Sequence, residues 1–149
     1  TDEDLALGTK LGCMEMMRGG TTTFMDLYYS EDVIARATQE AGIRGVLCWC
    51  VLDEECTTQK GNPLQNCKDF YQRFKDERKI VPGVGLQGVY VCNEETCVGA
   101  KEFSDEVGAP MNFHRHAPRR VAVQHRRARP QRGRGALRLA DPQGGQADG

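Results

Sequence analysis

The run Gly45-Val46-Leu47-Cys48-Trp49-Cys50-Val51-Leu52 constrains the chain most, because it contains no polar alternation at all. A strand with one wet face alternates apolar and polar residues, whereas a strand covered on both faces, as in a parallel sheet, has no reason to. Parallel neighbours must be joined by long crossovers, usually helices. The flanking sequence supplies them: Ser30 to Gly42 and Asn62 to Phe74 both carry apolar residues at helical spacing.

The same alternation runs through most of the chain. Thr1-Asp2-Glu3-Asp4 resembles a capping box, and Leu7, Leu11 and Met14 recur at helical spacing until Gly19-Gly20, so a first helix is expected there. Thr21 to Leu27, crowded with β-branched and aromatic residues, reads as a strand. Ser30 is placed to cap the second helix, with Glu31 and Asp32 facing the positive end of its dipole, Val33, Ile34, Ala37 and Ala41 as its buried stripe, and Gly42 at its end. Asn62-Pro63 has the order of a helix start, after which Leu64, Cys67, Phe70, Tyr71 and Phe74 share a face. Ile80 to Leu86 is a further strand, Asn93-Glu94-Glu95 opens a helix carrying Cys97, Ala100, Phe103 and Val107, and Pro110 to His114 is one more short strand. Strands alternating with such helices are the pattern of βαβ units, which build parallel sheets or barrels. Pattern alone does not choose between the two. No Gly-x-Gly-x-x-Gly follows a strand and no phosphate loop ending in Gly-Lys-Ser/Thr occurs, so dinucleotide and nucleotide-triphosphate folds are disfavoured.

Length and charge divide the chain further. Its 149 residues fall well short of the roughly 250 of a closed eight-stranded α/β barrel. The formal net charge of −1 hides a split, since from Arg115 onward nine arginines face only Asp141 and Asp148. The expected boundaries are therefore 1–114 for the globular part and 115–149 for an arginine-rich tail. The tail has no aromatic residue and no sustained apolar period, so it reads as a shifted reading frame of a GC-rich gene or as a disordered segment. Taken at face value it is an arginine-rich arm for nucleic-acid phosphates, but it lacks the aromatic platforms that stack on bases, and nucleic acid is the disfavoured partner. His116 and His125 read as tail residues. The seven cysteines are an odd, scattered set without a secretory signal, which fits free thiols in a reducing cytosol, and no apolar run approaches the roughly 20 residues of a membrane span. A cytoplasmic chain is expected.

Four segments in order resemble one family. Met14-Glu15-Met16-Met17-Arg18-Gly19-Gly20-Thr21-Thr22-Thr23-Phe24-Met25-Asp26 is similar to an "E-M-x-R-x-G-T-T-T-F-x-D" segment of the amidohydrolase superfamily. Ala41-Gly42-Ile43-Arg44-Gly45-Val46-Leu47 resembles the entry to that family's third barrel strand. Val81 to Leu86 resembles its fourth strand and Pro110 to His114 its fifth. The branch in question holds 5′-methylthioadenosine/S-adenosylhomocysteine deaminases, guanine and cytosine deaminases, and triazine chlorohydrolases. The resemblance implies an α/β fold consisting of a partial TIM-type barrel, roughly strands two to five with their helices, followed by a disordered or irregular basic tail.

For function, the resemblance implies a fragment of a metal-dependent hydrolase acting on non-peptide C–N bonds. It would deaminate an adenosine-type nucleoside or a related amino-bearing heterocycle with a Zn or Fe ion at the carboxyl ends of the strands. His114 matches the family's metal ligand at the end of strand five. The family's proton-shuttling Glu, three residues further on, is Ala117 here, and no catalytic residue is assigned. Where relatives carry a substrate-contacting His after strand four, this chain has Gln87, which is left as the substrate-binding candidate through hydrogen bonding. With a single candidate ligand, the isolated chain is expected to bind no metal stably and to be inactive. The competing expectation is a non-catalytic α/β protein with an arginine-rich tail that binds nucleic acid.

Other chemistry-bearing residues have simpler readings. Cys48 and Cys50 lie on one side of a strand, and Cys92 and Cys97 lie near a helix start where a thiolate is favoured, but packing explains all four. Trp49 reads as core, Glu54-Glu55 as a solvated loop and Glu94-Glu95 as a helix start.

Overall fold

A computed structural model describes residues 1–114, and the expected tail, with His116, Ala117 and His125, lies outside the described residues. The elements follow in order: α1 (Asp2–Arg18), β1 (Thr23–Tyr28), α2 (Glu31–Ala41), β2 (Arg44–Val51), a 3-10 turn (Glu54–Cys56), α3 (Pro63–Phe74), β3 (Ile80–Leu86), α4 (Glu94–Val107) and β4 (Met111–Phe113). The strands form one sheet in the order β1-β2-β3-β4, with every neighbouring pair parallel. Each crossover contains a helix. This is a partial TIM-type barrel: four of the eight strands of a closed one, in chain order.

Register assigns the faces. Leu47 aligns with Pro82, Gly45 with Ile80 and Phe24 with Gly45. Because side chains alternate along a strand, these positions share a face, and there Leu47 and Ile80 pack with Ile34 and Ala35 of α2 and with Phe70 and Phe74 of α3. Towards the other end of the sheet Val51, Val84 and Leu86 pack with Cys67 of α3 and with Ala100 and Phe103 of α4. The opposite face carries Leu27, Cys48, Cys50, Gly83, Gly85 and Asn112, in register across the four strands. It is tight midway along β3, where a Cβ on Gly83 would stand 2.5 Å from the Cys48 sulfur and 2.8 Å from the Pro110 carbonyl. The glycines of Gly83-Val84-Gly85 thus admit their neighbouring strands. Towards the start of β3 on the same face Met25 and Val81 stay about half exposed.

Local chemistry explains the helix ends. Thr1 and Asp4 make the reciprocal capping box, Asn62 Oδ1 accepts from the Gln65 N–H at 2.9 Å with Pro63 in the first helical turn, and Asn93 Oδ1 accepts from the Thr96 N–H at 2.9 Å. Gly42 ends α2 at φ 91°, a conformation in which a Cβ is penalised.

Two expectations are corrected. Ser30 sits at the cap position of α2, but in the left-handed region (φ 60°), and its side chain makes no capping bond. Glu31 and Asp32 lie in the first turn as expected, with Glu31 fully buried and taking the Tyr28 N–H. The buried stripe of α2 is Ile34, Ala35, Ala37 and Thr38, while Val33 and Ala41 are only half-buried, because α2 must cover β2 on one side and receive α1 on another. Helix α1 is present as expected, yet it turns Cys13 to the interior and leaves Leu7, Leu11 and Met14 exposed. Their spacing announces a helix without saying which face finds a partner.

Candidate functional site at the strand ends

Gln87 and His114 are brought side by side by the sheet. β3 and β4 run in parallel with Leu86 aligned to Phe113, so the next residues, Gln87 and His114, emerge together at the carboxyl ends. Backbone bonds carry the ladder that far: His114 N–H donates to the Leu86 carbonyl at 3.0 Å, and Gln87 N–H donates to the Val51 carbonyl at 3.3 Å. Both side chains line a cavity of about 690 Å³. Its walls also take in Tyr28 and Tyr29 at the end of β1, Cys50 and Leu52 at the end of β2, the Glu55-to-Thr58 stretch, and Tyr90 and Val91 after β3. In parallel α/β folds this end of the strands is where ligands are bound, since the loops there differ freely while the sheet stays rigid.

The walls are held by specific bonds. The Tyr28 and Tyr29 rings stack with centroids 4.5 Å apart, and the Tyr28 N–H is taken by Glu31 Oε1 at 3.1 Å. The loop after β2 is pinned by Gln59, whose Oε1 accepts from the Trp49 indole N–H at 2.8 Å and whose Nε2 donates to the Cys50 carbonyl at 3.0 Å. Asp53 joins that loop to the one after β3. Its N–H donates to the Val91 carbonyl at 2.9 Å, and its carboxylate accepts from the Asn93 N–H at 2.9 Å and from the Thr96 hydroxyl. Gln87 itself is bonded at both ends of its carboxamide: Oε1 accepts from the Cys50 thiol at 3.3 Å, and Nε2 donates to the Tyr90 hydroxyl at 3.3 Å.

Burial sets the chemistry of the remaining groups. It pushes the thiols of Cys48, Cys50 and Cys67 up to about 12, so they remain neutral packing groups. Cys97 is pushed up to about 11 and Cys92 is also raised, burial being the first cause in both, so the start of α4 favours no thiolate. All seven cysteines are free. Glu31, behind the Tyr28 turn, is pushed up to about 9, by burial first and by the charge of Asp26 second.

The described residues do not complete a metal site. Among them no three His, Cys, Asp or Glu side chains converge to hold a cation, and His114 brings one imidazole to the cavity where a catalytic zinc takes three protein ligands. Sequence reasoning named Gln87 and His114 but missed the tyrosines and the role of Cys50. Tyr28 stands at the end of a strand-like run, so register counted along β1 was the available signal. Tyr90 follows a loop glycine, Gly88, at φ 141°, and only the folded loop places its ring.

The model of the amidohydrolase family matches residues 1–134, running past His114. The chain is 37% identical over 109 residues to the 5-methylthioadenosine/S-adenosylhomocysteine deaminase of Thermodesulfovibrio yellowstonii, covering 72% of this chain and 25% of that protein. It is 36% identical over 111 residues to the 5′-deoxyadenosine deaminase of Methanothrix thermoacetophila, covering 74% and 26%. The chain thus spans about a quarter of the length of the curated relatives it matches. A zinc-bound adenosine deaminase structure from Xanthomonas campestris superposes with a TM-score of 0.71 at 23% identity, over 76% of this chain and 26% of that one. A zinc complex of atrazine chlorohydrolase from Arthrobacter aurescens TC1 superposes with a TM-score of 0.68 at 14% identity, over 79% and 31%. At those identities the superpositions speak for the fold. Taken with the family match over most of its length, they place the strand ends described above in a known architecture: the chain belongs to the amidohydrolase family.

Proposed function

We propose that this chain is part of a metal-dependent hydrolase that removes the amino group from an adenosine-type nucleoside or a related amino-bearing heterocycle. In this reading residues 1–114 are the partial barrel and 115–149 a separate tail. The observation that carries the proposal is the pairing of His114 with Gln87 at the carboxyl ends of adjacent parallel strands, facing one cavity walled by tyrosines. Two deaminases of adenosine-type nucleosides share more than a third of their residues with this chain over the matched stretch.

Each residue has a physical task in this reading. Tyr28, Tyr29 and Tyr90 offer flat apolar surface with a polar tip, suited to a heteroaromatic ring. Gln87 contributes hydrogen bonding from a carboxamide already fixed in place. The His114 imidazole would be a ligand for zinc, or for iron, and a divalent ion held there would supply activated water for attack on the ring carbon. Because the described residues supply one ligand only, no step of the reaction is assigned to the metal here, and the isolated chain is not expected to turn over substrate.

The test is ammonia release from 5′-methylthioadenosine and 5′-deoxyadenosine with added zinc, measured on the 149-residue chain and on a protein that joins its residues 1–114 to the remaining barrel strands. The reading expects release from the joined protein alone, and loss of both activity and bound zinc in its His114→Ala variant. Turnover by the isolated chain would overturn it, as would an active joined protein that tolerates His114→Ala.

A further inference from the structure

Cys50 lies under the cavity floor at 3% exposure, and its sulfur is 3.3 Å from Gln87 Oε1. A carboxamide has a donor end and an acceptor end of nearly equal size, so a neighbour with one fixed polarity decides which end points where. The thiol is such a neighbour. With its pKa pushed up to about 12 by burial, it keeps its proton, and the S–H, a weak donor, lies within reach of Gln87 Oε1. It therefore selects the oxygen of Gln87, and the NH₂ group falls on the opposite side, where one N–H reaches the Tyr90 hydroxyl at 3.3 Å.

We propose that Cys50 is a positioning residue: its thiol fixes the Gln87 carboxamide with the NH₂ group on the Tyr90 side, so this corner of the cavity presents a hydrogen-bond donor and reads an acceptor atom on the ligand. This rests on the proposed function for the identity of the ligand, where an unprotonated ring nitrogen or a ribosyl oxygen of the nucleoside would serve. The orientation itself does not depend on that reading. An NH₂ group carries two N–H donors, and the bond to Tyr90 uses one of them. A ligand that presents only N–H at this corner would meet donor against donor and be rejected.

Nuclear magnetic resonance of the ¹⁵N-labelled 149-residue chain tests both parts separately. In the unsubstituted chain, the Gln87 side-chain amide protons should show cross-relaxation to the Tyr90 ring protons and not to the Cys50 β-protons. The reverse pattern overturns the proposal even if no variant folds. In Cys50→Ala, the Gln87 amide protons should exchange with solvent about fivefold faster, the loss expected for one ordinary hydrogen bond. Cys50→Ser, whose hydroxyl also donates, should restore the slow exchange; unchanged exchange in Cys50→Ala, or no rescue in Cys50→Ser, overturns the assignment. Titration with adenosine should then shift the Gln87 amide signals in the unsubstituted chain and in Cys50→Ser. If the amide is oriented as stated and adenosine leaves it unmoved, the nucleoside reading of the cavity fails while the role of Cys50 stands.

Discussion

Replacing Glu31 by glutamine should change the pH dependence of stability in a direction fixed by its surroundings. The carboxyl is fully buried, Oε1 accepts from the Tyr28 N–H at 3.1 Å, and Oε2 has no partner among the described residues. Burial, followed by the charge of Asp26, raises it from 4.5 to about 9. The folded chain therefore keeps a proton that the unfolded chain gives up near pH 4.5. Glu31's contribution is then fully present below that value and is lost as pH rises towards about 9. Each pH unit in this window is worth about 1.4 kcal/mol. At pH 7.5 the buried carboxyl thus costs on the order of 4 kcal/mol relative to its acid limit. Glutamine carries no charge to desolvate and keeps an oxygen for the Tyr28 N–H, but its NH₂ group would stand where Oε2 has no partner, a penalty of roughly 1–3 kcal/mol. Glu31→Gln should therefore be about 1–3 kcal/mol less stable than the parent at pH 4.5 and about 1–3 kcal/mol more stable at pH 7.5. Urea unfolding followed by fluorescence of Trp49, the single tryptophan, at intervals from pH 4.5 to 9 reads the difference directly. A variant whose stability tracks the parent in parallel across that range would refute the reasoning.

Other perturbations separate packing from helix propensity and from thiol chemistry. Gly83→Ala would drive a methyl group into the Cys48 sulfur and the Pro110 carbonyl, at 2.5 and 2.8 Å, and should cost about 1–3 kcal/mol in denaturant unfolding. Gly8→Ala, in α1 with nothing within 4 Å of the new Cβ, should instead gain about 0.5–1 kcal/mol in the same assay. Exposed Cys56 should be the one thiol modified rapidly by a disulfide reagent at pH 8, while Cys48, Cys50 and Cys67, buried and pushed up to about 12, wait for unfolding. Rapid modification of any of those three in the folded chain would contradict their placement.

Much of the architecture was legible because the physics that fixes it is local. The unbroken apolar run of β2 marks a strand covered on both faces, and the caps at Thr1, Asn62 and Asn93 are written in side chains a few residues from the bonds they make. Ser30 misled for the same reason. It has the right residue type for a cap, but Glu31, three residues after Tyr28, takes the Tyr28 N–H and draws the turn into the left-handed region. That choice depends on what lies beneath Glu31, which no local rule reports. The site was half legible. His114 and Gln87 followed from resemblance, whereas their adjacency needs the register of β3 against β4. Cys50 and Gln87 are 37 positions apart, and their bond exists only because β2 and β3 pair with Cys50 opposite Gly85, one strand repeat before Gln87.

The account stands on the parallel β3–β4 pairing that sets Gln87 beside His114, and cross-strand nuclear Overhauser contacts in the 149-residue chain measure it. The structure requires Leu86 beside Phe113, Gly85 beside Asn112, and backbone contacts between Gln87 and His114, all in the parallel pattern. An antiparallel pattern between these segments, or a His114 with no contact to residues 86 and 87, would contradict it.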